Sequence, residues 1–305
     1  TESVHPIGPE LLTAAGHTVV YADRDMDIIR REIVDADAVL VRIIELPGSL
    51  LATAKNLKIV SKHGVGYDNI DLDYCKSHGI AVTITPNANS LSVAEHAFTL
   101  MLTLAKNIIP VSNEYRTVGF AAKNHAPGIE MTGKTLGLIG MGRIGKHILH
   151  MCRDGLDMHV IVYDPSISEV PEGVEKVDDL SELLRRADVV TLHCLLTDET
   201  RKLIDRERLA LMKPTALLIN CARGPIVDEA ALIEALENGR LAGAGLDVTD
   251  PEPVAPDSPL FKLPNVIVTP HYAPTTVESA TRVSKIAAEN INAVLAGQEP
   301  VGRIV

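Results

Sequence analysis

Short runs of aliphatic and β-branched residues alternate with stretches of helical spacing along almost the whole chain. From Thr18 onward the runs 19–21, 38–42, 57–61 and 81–85 predict four strands, separated by segments whose apolar residues recur every three or four positions. That alternation marks parallel βα units and makes a first, smaller unit of about 85 residues. The chain opens at Thr1, without Met, and almost at once enters a helix-like stretch, 9–15, so a first strand is expected before residue 1. Residues 89–107 read as a long helix bridging two domains: Ser90 or Ser92 serves as its cap, and Val93, Ala97, Leu100 and Leu104 share one face. The polar, irregular stretch 113–132 is too long for an ordinary connection, and reads equally well as a surface loop or as an arm packed on another subunit. A second βα series follows, with strands near Thr135, His159, Val189, Ala216, Gly243 and Val266, before a final helix over 275–296 returns the chain to the first unit.

The most informative of these strand-to-helix junctions is Leu136 to Gly145, LGLIGMGRIG. An apolar run enters Gly140, Met141, Gly142, Arg143, Ile144 and Gly145, and Lys146 to Cys152 continues as a helix. Gly140 allows a tight turn, Gly142 lets backbone approach a pyrophosphate, and Gly145 lets the helix pack close, so an anion sits at the positive helix start. The second strand, 159–163, ends in Asp164, nineteen residues after Gly145. A carboxylate there accepts hydrogen bonds from both ribose hydroxyls and repels a 2′-phosphate, which favours NAD over NADP. A glycine-rich turn followed by an unrelated surface Asp would lack this agreement of context and spacing.

Composition narrows the remaining classes. A 46% hydrophobic content supports two globular cores, and 29 basic against 40 acidic residues, a formal charge of −11, argues against nucleic-acid binding. Four cysteines, Cys75, Cys152, Cys194 and Cys221, lack metal-site spacing, so no metal is expected and a reducing cytoplasm fits best. No signal peptide and no apolar run of membrane-spanning length is found, so no membrane partner is expected.

In an open parallel sheet, ligands sit beyond the carboxyl ends of the strands. Arg223, Asp247, Glu252 and His271 all follow directly on predicted strands of the second series. Reduction of a 2-oxo acid needs a cation at the carbonyl oxygen, a proton donor for the alkoxide and a group holding that donor protonated. Arg223, His271 and Glu252 supply these parts. Taken singly, Arg223 reads as a turn cap, His271 as an ordinary strand-end residue and Glu252 as a solvated turn carboxylate. Together, beside the glycine turn, they make a site.

The runs Asn220-Cys-Ala-Arg-Gly-Pro-Ile-Val-Asp-Glu, Gly245-Leu-Asp-Val with Pro251-Glu-Pro, and Thr269-Pro-His271 resemble the NAD-dependent D-isomer-specific 2-hydroxyacid dehydrogenases. Lys62-His-Gly-Val-Gly-Tyr-Asp-Asn-Ile-Asp is similar to that family's substrate loop, and Thr85-Pro-Asn-Ala-Asn-Ser-Leu-Ser-Val-Ala-Glu is closest to its phosphoglycerate dehydrogenase branch. The resemblance implies an α/β fold of two Rossmann-like parallel-sheet domains, one inserted in the other. Residues 1–88 plus 274–305 would form a flavodoxin-like substrate domain, and 89–273 the NAD domain with a dimerisation arm near 108–133. It further implies Arg223, Glu252 and His271 as catalytic residues. Gly140, Gly142, Arg143, Ile144, Gly145, Asp164, Cys221 and Asp247 would meet NADH, with Asp247 at the nicotinamide carboxamide. His63, Val65 and Gly66, with Arg223 and His271, would hold the 2-oxo or 2-hydroxy acid. A cytoplasmic homodimer is expected. With Val305 as the last residue read, the C-terminal regulatory domain of longer phosphoglycerate dehydrogenases is not expected. Arg42 is followed by Ile43, Ile44 and Glu45, and Tyr272, Ala273 and Pro274 replace a smaller family pattern, so an unphosphorylated 2-oxo acid is favoured over D-3-phosphoglycerate chemistry. Glu252 argues against formate dehydrogenases, which pair their histidine with Gln. A non-catalytic NAD-sensing scaffold of corepressor type keeps the same Arg, Glu and His set, and is the less expected reading because no disordered tail is read in residues 1–305.

Overall fold

A computed structural model describes residues 1–305. They fall into two units, Thr1–Asn89 with Pro274–Val305, and Ser90–Ala273.

The first unit begins with helices α1 (Ile7–Ala14) and α2 (Met26–Glu32), then β1 (Ala38–Val41), α3 (Gly48–Leu51), β2 (Ile59–Lys62), α4 (Leu72–Ser77) and β3 (Ala81–Thr83). The three strands pair in parallel in chain order. Asp residues start the helices: Asp25 accepts the N–H groups of Asp27 and Ile28, and Asp71 that of Tyr74, satisfying donors a helix start leaves open. The strand expected at 19–21 does not form. Val20 and Tyr21 are 52% and 63% exposed, so a β-branched pattern without a sheet neighbour or a face to bury remains irregular. The helix Val277–Leu295 covers this sheet, with Ala288 and Ile291 packed on Leu12, Ile59 and Ala81. Ser61 donates its hydroxyl to the Ala287 carbonyl at 2.9 Å, and Ser284 donates to that of His5 at 2.7 Å.

The second unit opens with α5 (Ser90–Ala105) and α6 (Ile108–Val118). The long helix therefore stops two residues before Asn107, whose left-handed φ of 51° turns the chain. The stretch read as irregular is largely helical, α6 being followed by a 3-10 segment at Gly119–Asn124. Pro110 is tolerated because it is the third residue of α6, where no backbone N–H is needed within the helix.

Then come β4 (Thr135–Ile139), α7 (Arg143–Leu156), β5 (His159–Tyr163), β6 (Glu175–Lys176), α8 (Leu180–Arg186), β7 (Val189–Leu192), α9 (Arg206–Leu209), β8 (Leu217–Asn220), α10 (Glu229–Glu237), β9 (Gly243–Leu246) and β10 (Val266–Val268). All seven strands are parallel, in the order β10-β9-β8-β7-β4-β5-β6. The two-residue β6 has no counterpart among the predicted strands. The last helix, Val277–Leu295, is α11.

Alternation along the strands fills both faces. Leu136, Leu138, Val160 and Val162 join α5 and α7 through Ala97, Leu100, Ile148 and Leu149. Ile139, Ile161, Val190 and Leu218 join Leu183, Leu184, Leu232 and Leu236 of α8 and α10 on the other. Helices on both faces of a parallel sheet define a doubly wound fold. Its strand order reverses between β4 and β7, and in open parallel sheets ligands bind at the carboxyl ends of the strands at such a point.

Candidate active site

The turn after β4 lies at that reversal point. Gly140 has φ +90°, and a Cβ on it would come within 2.7 Å of the Cys194 nitrogen, so only glycine lets the backbones after β4 and β7 meet. A Cβ on Gly145 would approach the Gly140 carbonyl oxygen to 2.3 Å, whereas one on Gly142 would meet nothing within 4 Å. Close packing is thus demanded at Gly145, and open space lies above Gly142. Arg143 begins α7 and is exposed, and Ile144 packs partly on the core. A turn of this shape, with a 14-residue helix beginning on it, suits the pyrophosphate of a dinucleotide.

Asp164 follows β5 next to this turn. It accepts the Met141 N–H at 2.8 Å and the N–H and hydroxyl of Ser166 at 2.9 and 2.6 Å. Burial would raise its pKa, but these hydrogen bonds outweigh burial and hold the carboxyl below its ordinary value. An ionised acceptor at this position fits ribose hydroxyls. Beside the turn, burial pushes the His193 imidazole down to about 3. Cys221 lies in the apolar core, and burial, with Asp247 nearby, drives its thiol well above the ordinary value.

The candidate catalytic residues lie at the ends of the next three strands. Asn220 ends β8 and shapes the loop after it, accepting the Ala222 N–H at 3.0 Å and donating to the Arg223 carbonyl at 2.9 Å. Arg223 itself is half-buried and donates to the Ala222 carbonyl at 2.8 Å. The next residue must be glycine, because a Cβ on Gly224 would reach the Thr249 carbonyl oxygen at 1.9 Å. This close approach joins the Arg223 loop to the segment carrying Glu252. Glu229, in the first turn of α10, steadies that segment by accepting the Asp250 N–H at 2.9 Å.

His271 follows β10, and its Nδ1 lies 2.7 Å from Glu252 Oε1. A carboxylate only accepts, so Nδ1 carries the proton and Nε2 is left for exchange with a substrate. The side chains are 30% and 38% exposed, open enough for a ligand to reach. His271 has φ +52°, a left-handed conformation that costs an L-residue roughly 1–2 kcal/mol. Its N–H is held by the Asp247 carbonyl at 2.8 Å.

Asp247 follows β9 and also has a structural part. It is 1% exposed, and its carboxylate accepts the Tyr272 and Ala273 N–H groups at 2.7 and 2.8 Å and the Thr269 hydroxyl at 2.5 Å. Burial opposes its charge, yet His96, Thr269 and the two backbone donors hold its pKa below the ordinary value. Neither His96 nor Thr269 was among the residues expected at the site. The available signal was a lone polar ring among Val93, Ala97 and Leu100 of α5.

The candidate substrate loop belongs to the first unit. His63 follows β2 with its N–H on the Val41 carbonyl, and burial first, then the charge of Arg42, pushes its imidazole down to about 4. Thr85 fixes the Gly64 carbonyl through both its N–H and its hydroxyl, and neither Val65 nor Gly66 gives its backbone N–H to another group of the protein. Buried Lys62 donates to Asn69 Oδ1 at 2.6 Å and to the Arg42 carbonyl, while Arg42 reaches the Ser3 carbonyl at 3.0 Å. Glu2 is buried and accepts the N–H groups of Arg42, Ile43 and Ile44.

Residues 98–273 match the family model for the D-isomer specific 2-hydroxyacid dehydrogenase NAD binding domain. The chain is 42% identical over 302 residues to a D-3-phosphoglycerate dehydrogenase of Methanocaldococcus jannaschii, covering 98% of this chain and 57% of that protein. It is 38% identical over 306 residues to a glyoxylate reductase of Thermofilum pendens, covering 96% and 89%. Thus the chain spans little more than half of the first relative but most of the second. Among solved structures, D-lactate dehydrogenase from Aquifex aeolicus, complexed with NAD and lactic acid, superposes with a TM-score of 0.87 at 32% identity, over 96% of this chain and 92% of that one.

Proposed function

This chain belongs to the D-isomer-specific 2-hydroxyacid dehydrogenases, and from that membership we propose that it interconverts a 2-oxo acid and a D-2-hydroxy acid with NAD(H). The observation that carries the reading is the 2.7 Å contact between Glu252 and His271 on the sheet that also carries the Gly140 turn. The bound nicotinamide supplies or accepts the hydride at the 2-carbon. Arg223 holds the carbonyl oxygen and stabilises the negative charge growing on it. His271 gives its Nε2 proton to that oxygen in reduction and takes it back in oxidation, while Glu252 keeps the ring oriented and stabilises the imidazolium. The N–H groups of Val65 and Gly66, which no other group of the protein takes, receive the substrate carboxylate. Asp164 favours NAD by accepting from the adenosine ribose.

An unphosphorylated acid fits this chain best. Arg42 is turned to a carbonyl, Lys62 serves Asn69 and Arg42, and His63 is neutral near pH 7. A doubly charged phosphate would need cations these residues do not offer. The 42% identity to a D-3-phosphoglycerate dehydrogenase keeps the phosphorylated acid as the second reading.

The protein is further proposed to be a cytoplasmic homodimer. No residue of α6 is buried, and Ile108, Ile109, Tyr115, Val118 and, just beyond, Phe120 are exposed, an apolar surface suited to a second copy. All four cysteines are free, and no helix is long and apolar enough to cross a membrane. NADH oxidation against glyoxylate, pyruvate, hydroxypyruvate and phosphohydroxypyruvate tests the activity. Preference for an unphosphorylated acid is expected. Preference for the phosphorylated one would establish the second reading, and NADH binding without turnover would point to the scaffold. Sedimentation velocity checks the dimer.

A further inference from the structure

His96 sits on the buried face of α5 with its side chain 17% exposed, an unusual place for an imidazole unless its partners hold it. Its Nε2 lies 3.0 Å from Thr269 Oγ1 and 3.4 Å from Asp247 Oδ1. Thr269 has one hydroxyl proton, and that proton goes to Asp247 Oδ1 at 2.5 Å. Thr269 Oγ1 can therefore only accept from His96, which places the imidazole proton on Nε2. The result is a directed chain: His96 Nε2–H to Thr269 Oγ1–H to Asp247.

Asp247 passes this order to the catalytic turn. Its carbonyl takes the His271 N–H, and its carboxylate takes those of Tyr272 and Ala273. Three successive backbone donors thus end on one residue, and the first belongs to the histidine held at φ +52°. The Tyr272 ring meets the His96 ring edge-on, with centroids 6.2 Å apart.

We propose that His96 is a positioning residue for proton transfer, acting through Thr269 and Asp247 to fix the turn that aims His271. The inference rests on the reading of His271 as the proton-transfer group. Without the His96 donor, Thr269 is free to rotate away from Asp247, the carboxylate loses its anchor to α5, and the turn loosens. A displacement of about 1 Å at a reacting group can lower a rate by about a hundredfold.

The test compares wild type, His96→Leu, His96→Gln and Thr269→Val in NADH oxidation with glyoxylate, in NADH binding, and in backbone amide exchange of residues 271–273. Gln keeps a donor near the Nε2 position, and Leu removes it. His96→Leu is expected to lower kcat by roughly ten- to a hundredfold with NADH affinity unchanged, and to speed exchange at Tyr272 and Ala273. Thr269→Val should act likewise, and His96→Gln should restore most of the rate and the slow exchange. Equal losses in His96→Leu and His96→Gln would make His96 a packing residue and overturn the inference, as would unchanged exchange in His96→Leu. If wild type itself fails to turn over glyoxylate, the activity reading fails on that acid, while the exchange comparison still decides whether His96 orders the turn.

Discussion

Two turns at the same end of one sheet show opposite ways of building a site. The turn at Gly140 to Gly145 is made by leaving side chains out: Gly140 takes φ +90°, and a Cβ at Gly140 or Gly145 would strike backbone. At Asp247 to Ala273 a residue again adopts a left-handed φ, but here it is histidine and the side chain is kept. On the function proposed above, a dinucleotide phosphate, with its charge spread over several oxygens, would be met by bare backbone, whereas a proton would have to leave from one named atom. The second turn therefore needs outside support, which Asp247 gives through three backbone N–H groups. Backbone makes the first turn, and a buried carboxylate makes the second.

If the turns have separate duties, their failures should separate as well. The largest effect is expected at the side-chain turn and the Arg223 loop beside it: His271→Ala or Arg223→Ala should lower kcat by about 10²- to 10⁴-fold with NADH affinity near normal. Joint loss of NADH binding, followed by fluorescence titration, would show that the two turns do not act independently. Gly145→Ala should do the reverse, its overpacking removing roughly 1–3 kcal/mol from cofactor affinity or stability, read by the same titration and by thermal unfolding. Normal binding and melting would mean that the backbone contact at Gly140 relaxes freely. Asp164→Ala should narrow the preference for NAD over NADP in kcat/KM ratios, and an unchanged ratio would place the ribose carboxylate elsewhere.

The smallest effect is a response to acid. His63 and His193, one in each unit, have folded pKa values near 4 and 3, below an ordinary 6.5. A depressed folded value means that the unfolded chain takes up the proton first. Their contribution to stability is therefore complete above pH 6.5 and is lost as pH falls from 6.5 toward 4 and 3. Urea midpoints at about pH 7.5, 5.5 and 4.5 should decline in that order, and a flat series would mean that neither ring is kept neutral by the fold.

The same contrast governs what could be read from the chain. The glycine turn is local: Gly140 to Gly145 and the strand and helix beside it are contiguous, so the turn was legible from spacing, and Asp164 was legible as the residue that closes the next strand beside it. Arg223, Glu252 and His271 were legible as polar residues closing apolar runs. The support beneath them was not. His96, Asp247 and Thr269 are far apart in sequence and converge only when α5 packs on the assembled sheet. Residues 19–21 carried a strand-like pattern with no partner to pair with, and α6 was hidden by Pro110 and Gly119 and because it buries no face within this chain.

The interrupted course of the first unit bears on how the chain can fold as it is made. Its three strands emerge from the ribosome early, yet the residues that cover Ile59 and Ala81, Ala288 and Ile291 of α11, emerge only after the whole of the second unit has been translated. During that interval only α1, through Leu11 and Leu12, is on hand to cover that apolar side of the sheet, while the larger second unit has everything it needs to fold. The order of maturation is then the reverse of the order of synthesis, and the early segment is the natural client for a chaperone on the nascent chain.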